Sequence, residues 1–497
     1  MPNFAGLHDR HQTFMYKITL FSLLLFCTTL FGQTPKYEIR AAWVTTAWRL
    51  DWPQTVAKDN ASALKQQQEL VRILDRLQFL NFNAVFLQVR MRNDVIYPSK
   101  IEGWSSMVSG TTNQSPGYDP LAFAVEECHK RGLECHAWMI TVPLGNNVQA
   151  KELADLSLVK NEPGLCKKIG NEWYLDPGNP GSANYLARLA GEMVSNYDID
   201  GIHLDYIRYP ELGSFPDSGT KAVYGDNQSL ANWRRSNINR IVYTIYDAVK
   251  AIKPWVQVSS SPLGKHSDLP AHSSKGWNGY HKVYQDAKAW MNAGKHDFVA
   301  PMLYFRESVF GPFLADWKQN SNGRPIAAGI ALYMMSENSW KYQTISNEIK
   351  ITREQGCGQS YFRTESLMKN TKNCADSIKM HAYQYPALMP PLSWISREKP
   401  AAPRQFTITQ SGNNLVFSWQ EDATTAGGCT YTLYYSEKQK IDLSDARNIL
   451  LCRQTGQKIV LEIPSDFRGD FYFGVTRSNR YHNESNLSRI VKVRFLH

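Results

Sequence analysis

Apolar and polar positions follow two different periods along the chain, and the change falls near residue 395. Before it, short strand-like runs at 38–45, 84–90, 134–140, 201–205, 257–261, 298–304, 326–333 and 359–363 alternate with helical stretches. Leu70, Ile73, Leu74, Leu77 and Leu80 repeat at helical spacing. A longer helical period starts at Asn227 or Ser229 and ends at Lys253, because Pro254 has no N–H with which to continue it. Eight alternations over about 360 residues predict an α/β fold, a (β/α)8 or TIM barrel with insertions spanning 33–395. An open doubly wound sheet is the alternative, but the Gly-rich phosphate turn that often marks one is missing.

After the polar, proline-containing segment 396–403, the period becomes two. Runs at 406–409, 415–419, 431–436, 459–463, 471–477 and 488–495 predict a small all-β sandwich over 404–497. Trp419, the paired Tyr434 and Tyr435, and the stretch from Tyr472 through Tyr481 to Glu484 resemble a fibronectin type III domain. Such modules bind or space rather than catalyse. With no hydrophobic period in the linker, a cut there is expected to release two independently folded pieces.

At the other end, Lys17 precedes an almost unbroken apolar stretch over 18–30, and Phe31-Gly32-Gln33 closes it. Residues 1–32 read as a signal peptide, so export to the periplasm, cell surface or exterior is expected. The stretch is too short to span a bilayer, and no later segment reaches the roughly 20 residues a span needs without charges. Beyond Cys27 seven cysteines remain, so in an oxidising compartment at least one is unpaired or pairs outside the chain. Cys429 and Cys452 both fall in the sandwich, where a bridge is possible. Cys128-His129 and Cys135-His136 mimic a zinc set, but one pair ends a helix and the other starts a strand, so no metal is assigned.

Composition narrows the function. With 43% hydrophobic and 20% charged residues the chain has material for large cores. Its net charge of +10 is spread rather than gathered into a basic stripe. That speaks against a nucleic-acid partner and fits an anionic polymer. Neither a serine elbow, H-E-x-x-H nor a P-loop occurs, which argues against esterase, zincin and nucleotide chemistry; no cofactor is expected.

In barrels chemistry sits at the C-terminal ends of the strands. The fourth run ends Gly201-Ile-His203-Leu-Asp205-Tyr206-Ile-Arg208-Tyr-Pro210. Period two turns Ile202 and Leu204 toward the helices and His203 and Asp205 inward. A carboxylate ending an apolar strand is costly unless it is paired or used. Asp205 is therefore the leading catalytic candidate, with His203, Tyr206 and Arg208 beside it. Arg90 ends the second run facing inward, and Trp138 lies on the third. Glu307, Glu337 and Glu365 follow the sixth, seventh and eighth. Strands four and seven lie nearly opposite in such a barrel, so Asp205 and Glu337 are the expected pair flanking a bond, with Glu307 as substitute.

Several stretches in one order carry a resemblance: Arg40-Ala-Ala-Trp43-Val-Thr45, 82–90, Tyr118-Asp-Pro-Leu121, 129–138, Trp173-Tyr-Leu-Asp176-Pro-Gly-Asn-Pro180 and 200–210. Together, over about residues 36 to 390, they resemble the glycosyl hydrolase-like family 10, the domain of unknown function 187. The resemblance implies an exported TIM-barrel glycosidase, some members of which act on bacterial cell-wall glycan, notably strands stripped of peptides. Many members have two adjacent acids where this chain has Asp205-Tyr206, and Pro-Gln-x-Tyr where it has Pro301-Met-Leu-Tyr304. Asp176 enters as a substrate contact through the resemblance, although an Asp before Pro177 also reads as a turn cap. The rings of Trp43, Trp138 and Tyr304 are expected to stack on sugars. The implied reaction is hydrolysis through an oxocarbenium-like transition state with two carboxyl groups. Two other classes stay open: a glycan-binding barrel lacking one carboxylate, and a metal-dependent polysaccharide deacetylase.

Overall fold

In a computed structural model the described residues are 34–495, except 212–213, 273, 275, 421–427 and 464–467. The expected signal peptide lies outside the described residues. Eight parallel strands form the barrel: β1 (Arg40–Val44), β2 (Ala84–Arg90), β3 (Glu134–Ile140), β4 (Gly201–Asp205), β5 (Gln257–Ser260), β6 (Phe298–Val299), β7 (Ala327–Ala331) and β8 (Gly358–Phe362). Their order around the sheet is β6-β5-β4-β3-β2-β1-β8-β7. A bridge between Val299 and Ile326, with Gly329 N–H donating to the Pro301 carbonyl at 2.9 Å, joins the two ends and closes the ring. Sixth-strand pairing is shorter than the sequence suggests because Pro301 has no N–H and the chain turns at once, Leu303 N–H bonding back to the Pro301 carbonyl.

Alternation sorts the strand residues into two cores. Ala42, Val44, Val85, Leu87, Ile202 and Leu204 pack outward under the helices. Trp43, Phe86, Trp138, Ile140 and Phe298 fill the interior. The helices obey local rules: Asp59 caps Asn60–Phe79 by accepting from Ser62 N–H, and Ser229 caps Leu230–Ile252, which ends ahead of Pro254. After β3 a small antiparallel sheet of Pro143–Asn146, Glu172–Leu175 and Cys166–Ile169 is inserted on the C-terminal side of the barrel. No helix among the described residues is long and apolar enough to cross a membrane.

The C-terminal region has seven strands, β9 (Arg404–Ser411), β10 (Asn414–Gln420), β11 (Thr430–Ser436), β12 (Ile449–Gln454), β13 (Lys458–Glu462), β14 (Gly469–Ser478) and β15 (Val491–Phe495). They make two antiparallel sheets, β9-β10-β13 and β12-β11-β14-β15, over a core of Phe406, Phe417, Trp419, Leu433 and Phe473. Strand β12 was not visible in the sequence: Ile-Leu-Leu-Cys-Arg-Gln lacks alternation, and its pairing with β11 is broken by two register shifts. Cys452 on β12 is a free thiol, so the Cys429–Cys452 bridge is not formed.

The two units are joined by more than the linker. Arg453 donates from Nη1 to Glu134 Oε1 at 2.7 Å and from Nη2 to Asp200 Oδ1 at 2.9 Å, at the lower ends of β3 and β4. His482 Nε2 reaches the same Glu134 oxygen at 2.8 Å. Gln257 and His136 hold Oε2 of Glu134, and His129 holds Oδ2 of Asp200. Leu388 and Tyr385 of the barrel join Tyr434, Ile441 and Ile449 in a small shared core. Buried charges spanning the junction mean that the sandwich braces the bottom of the barrel, which counts against the expectation of two independent pieces.

Candidate active site

Asp205 ends β4 at the upper mouth of the barrel, and its backbone is fixed from both sides. Thr141 N–H and Oγ1 donate to the Asp205 carbonyl at 3.0 and 2.9 Å, and Ser261 N–H donates to the Leu204 carbonyl at 3.0 Å. Its carboxylate accepts from Tyr206 N–H at 2.7 Å and from Trp138 Nε1 at 3.2 Å. The side chain is buried, with the residue 6% exposed. Burial pushes the carboxyl up from its ordinary value, and the opposing pull of Arg208, the Tyr206 N–H, Ser261 and Trp138 only partly offsets it. A carboxyl group held in this way keeps its proton to higher pH than a free one, as a general acid must.

The floor beneath it is aromatic. His203, two residues earlier, stacks on Phe86 with ring centroids 4.1 Å apart. Trp43 Nε1 can only donate, so His203 Nε2 accepts at 3.2 Å and its Nδ1–H faces Ser259 Oγ at 2.9 Å. Burial, then the neighbouring His136 and His296, hold the imidazole well below its usual range, so it is neutral. With both nitrogens engaged it positions Trp43 rather than binding an ion. Among the described residues no three His, Cys, Asp or Glu side chains converge as metal ligands.

Trp43 and Trp138 are 2% and 4% exposed, so their rings form the floor and present little face to a sugar. Above them Tyr304 lies 6.0 Å from Phe362 and 5.9 Å from Tyr333. Burial and then the charge of Asp205 hold the Tyr304 phenol well above its ordinary value. Tyr206, with Arg208 4.3 Å over its ring, is 44% exposed and offers a true platform.

Other residues expected at the site are engaged elsewhere. Arg90 forms a buried fork with Glu102, Nε to Oε2 at 2.8 Å and Nη2 to Oε1 at 2.7 Å, and also holds the Ile140 and Thr141 carbonyls. It ties β2 to β3 below the mouth and has no face toward a ligand. Asp176 is a buried turn cap: it accepts from Gly178 N–H at 3.0 Å and Thr220 Oγ1 at 2.5 Å and pairs with Lys167 at 3.3 Å. Glu307 begins the helix Glu307–Gln319 and accepts from Asn347 at 3.2 Å. Glu365 pairs with Arg363 and Lys369. Glu337 ends a short helix after β7, is exposed, and raises the phenol of Tyr333 after the larger effect of burial. No contact joins Glu337 to Asp205 among the described residues.

Residues the sequence left unmarked complete the mouth. Arg208, whose charge acts on Asp205, pairs with Glu211 at 3.2 Å, which adds a second acid near the mouth. Trp48 follows β1 and Arg92 follows β2; their signal is position alone, just past strand ends. Tyr206 and Trp48 both adopt left-handed backbone conformations, φ 49° and 51°, uncommon for aromatic residues and frequent where function holds a strained chain.

Three comparisons bear on this geometry. The family model described as Glycosyl hydrolase-like 10 matches residues 38–334. The Bacillus subtilis (strain 168) protein named Glycosyl hydrolase YngK is 30% identical over 488 residues, covering 91% of this chain and 92% of that one. Glycosyl hydrolase DigH of Escherichia coli (strain K12) is 32% identical over 334 residues, 62% of this chain and 76% of that one. Among solved structures, the glycoside hydrolase domain of PgaB (BpsB) from Bordetella bronchiseptica superposes with a TM-score of 0.48 at 13% identity, covering 69% of this chain and 99% of that one.

Proposed function

We propose, from the premise that this chain belongs to the glycosyl hydrolase-like 10 family, that it is an exported enzyme that cleaves cell-wall glycan strands after their peptides have been removed. As a glycoside hydrolase it needs one carboxyl group to protonate the leaving oxygen and a second to attack or activate water. The observation that carries the reading is Asp205: a carboxyl at a barrel mouth, buried on aromatic rings, with its proton affinity raised. Asp205 acts as the acid. Its partner in this reading is Glu337, on the loop after the seventh strand; Glu211, paired with Arg208, is the alternative. Tyr206 carries a sugar ring, and Arg208 steadies the charge that remains on Asp205 after proton transfer.

Export rests on the charged and apolar start of the chain and the glycan on the family resemblance, with the +10 net charge in support. The test is incubation of purified protein with peptide-free cell-wall glycan and with neutral polysaccharides, followed by mass analysis of the fragments. Shortened glycan from wild type and none from Asp205→Asn supports the reading. Cleavage of neutral polysaccharide alone moves the substrate, and fragments of equal yield from Asp205→Asn remove Asp205 from the chemistry.

A further inference from the structure

One cation on the rim of the cleft has no task in the hydrolysis described above. Trp48 is 65% exposed although its backbone sits at φ 51°, ψ 18°, and Arg49 follows at φ 55°. Two successive side chains in the left-handed region are costly, and the result is an indole held out over the mouth rather than folded into the core. The guanidinium of Arg92 lies 5.6 Å from the Trp48 ring centroid. Its Nη1 donates to Glu172 on the sheet inserted after β3, so the cation sits between Trp48 and that sheet. Against the larger effect of burial, its charge also slightly lowers the phenols of Tyr206 and Tyr174.

Arg92 differs from the other arginines near the mouth in leaving donors open to solvent, whereas the unpaired Nη1 of Arg208 is buried. Arg90 is saturated by Glu102 and two carbonyls, and Arg208 is buried against Tyr206. Among the described residues, the hydrogen bond from the Arg92 side chain is a single long one, Nη1 to Glu172 Oε2 at 3.4 Å. Both side chains remain open, 31% and 38% exposed. A guanidinium has five N–H donors in a planar fork matched to a carboxylate, so most of this one's capacity is left for a ligand.

We propose that Trp48 and Arg92 form a subsite that selects a sugar bearing a carboxylate, the ring lying on the indole and the carboxylate taking the free donors of Arg92. The proposal rests on the glycosidase reading and deepens it by naming the charged group read from the substrate. Apolar C–H faces of a pyranose suit an indole, and a carboxylate beside that ring meets the cation already parked at its edge. A carboxylate of this kind is presented by a lactyl ether on an amino sugar or by a uronic acid; the chemistry of recognition is the same.

The test measures binding, so that it does not depend on turnover. Full-length protein carrying Asp205→Asn is titrated by calorimetry with three kinds of oligosaccharide: lactyl-ether-bearing cell-wall glycan, a polyuronate, and the carboxyl-reduced form of each. The expected result is about 10- to 100-fold tighter binding of at least one carboxylate form than of its reduced counterpart, the range for losing a charged hydrogen bond. Adding Arg92→Gln should abolish that preference, Arg92→Lys should keep part of it, and Trp48→Ala should weaken both forms alike. Arg92 is on the surface, so an unchanged melting curve shows that the fold is intact. Preference for the lactyl form alone, or the uronate alone, supports the subsite and identifies the source of the carboxylate. Equal affinity for carboxylate and reduced forms, equal loss on both with Arg92→Gln, or no binding at all overturns it. Should the preference appear while wild type releases no fragments, the hydrolase reading fails and the subsite stands.

Discussion

Replacing Arg453 by Met tests how the sandwich is attached to the barrel. The side chain is 14% exposed and bridges Glu134 and Asp200, whose own side chains are 0% and 9% exposed. Removing one partner of a buried ion pair costs about 3–5 kcal/mol, because the remaining charge keeps its desolvation penalty. Here the lower end applies: Glu134 keeps His482, His136 and Gln257, and Asp200 keeps His129. With a urea slope of about 1–3 kcal/mol per molar, a loss of about 3 kcal/mol moves the transition by about 1–3 M. The assay is urea unfolding followed by tryptophan fluorescence, paired with proteolysis of the 396–403 segment to see whether the sandwich separates first. Arg480→Ala is the control, since its partner Asp198 is 46% exposed and a surface pair is worth about 0–1 kcal/mol. If Arg453→Met shifts the midpoint no more than Arg480→Ala does, the junction is not held by these charges, and the two units are as independent as the linker alone would suggest.

The same cluster predicts acid lability. Burial raises the carboxyl of Asp200, but His129 and Arg453 outweigh it and leave it at about 2, below its ordinary 3.8; stability from it is present above about pH 4 and lost as pH falls through about 2, which acid titration of wild type against Arg453→Met will show. For Asp205→Asn, turnover should fall about 10²- to 10⁴-fold with the fold retained, and near-normal activity would make Asp205 structural. The sign of its stability effect is opposite: an acid whose folded pKa is raised costs stability once ionised, so Asp205→Asn should melt higher than wild type at pH 7 and match it below about pH 4. Glu337→Gln should reduce turnover about 100-fold or more while Glu307→Gln, turned toward Asn347, stays near wild type; steady-state rates in the reverse order would exchange the two roles.

How much of this was readable in the chain follows from which forces are local. All eight barrel strands were visible because their apolar runs are paced by helices, and the inward face of β4 followed from period two alone. The sixth strand came out too long in the reading because apolar composition does not register the missing N–H of Pro301. At the site, Asp205 was visible because a carboxylate closing an apolar strand is locally expensive. Arg90 misled for the same reason: its cost is met by Glu102, twelve residues on across an intervening bend, and no pattern announces that partner. Trp48 and Arg92 escaped notice because each is an ordinary loop residue until two adjacent strand ends bring them together. The attachment of the sandwich was invisible too, since Arg453 finds Glu134 across 319 residues of chain.

The charge arrangement around Asp205 also explains why one end of the barrel is stiff and the other strained. At the bottom, Glu134 and Asp200 are over-supplied with donors, so both stay ionised and lock the strands. At the top, the Asp205 oxygens accept from the Tyr206 N–H and Trp138 Nε1, and burial outweighs these and the pull of Arg208 and Ser261. A sugar seated on Tyr206 would expel the water still reaching that carboxyl and penalise its charged form further. If Asp205 is the acid proposed above, substrate binding favours its protonated form when a leaving oxygen needs a proton, while the charge of Arg208 favours the carboxylate once the proton has gone. The left-handed turn at Tyr206, φ 49°, brings its own N–H to Asp205 and its ring to the solvent at once, so on the proposed assignment one strained residue links sugar binding to the proton affinity of the carboxyl beside it.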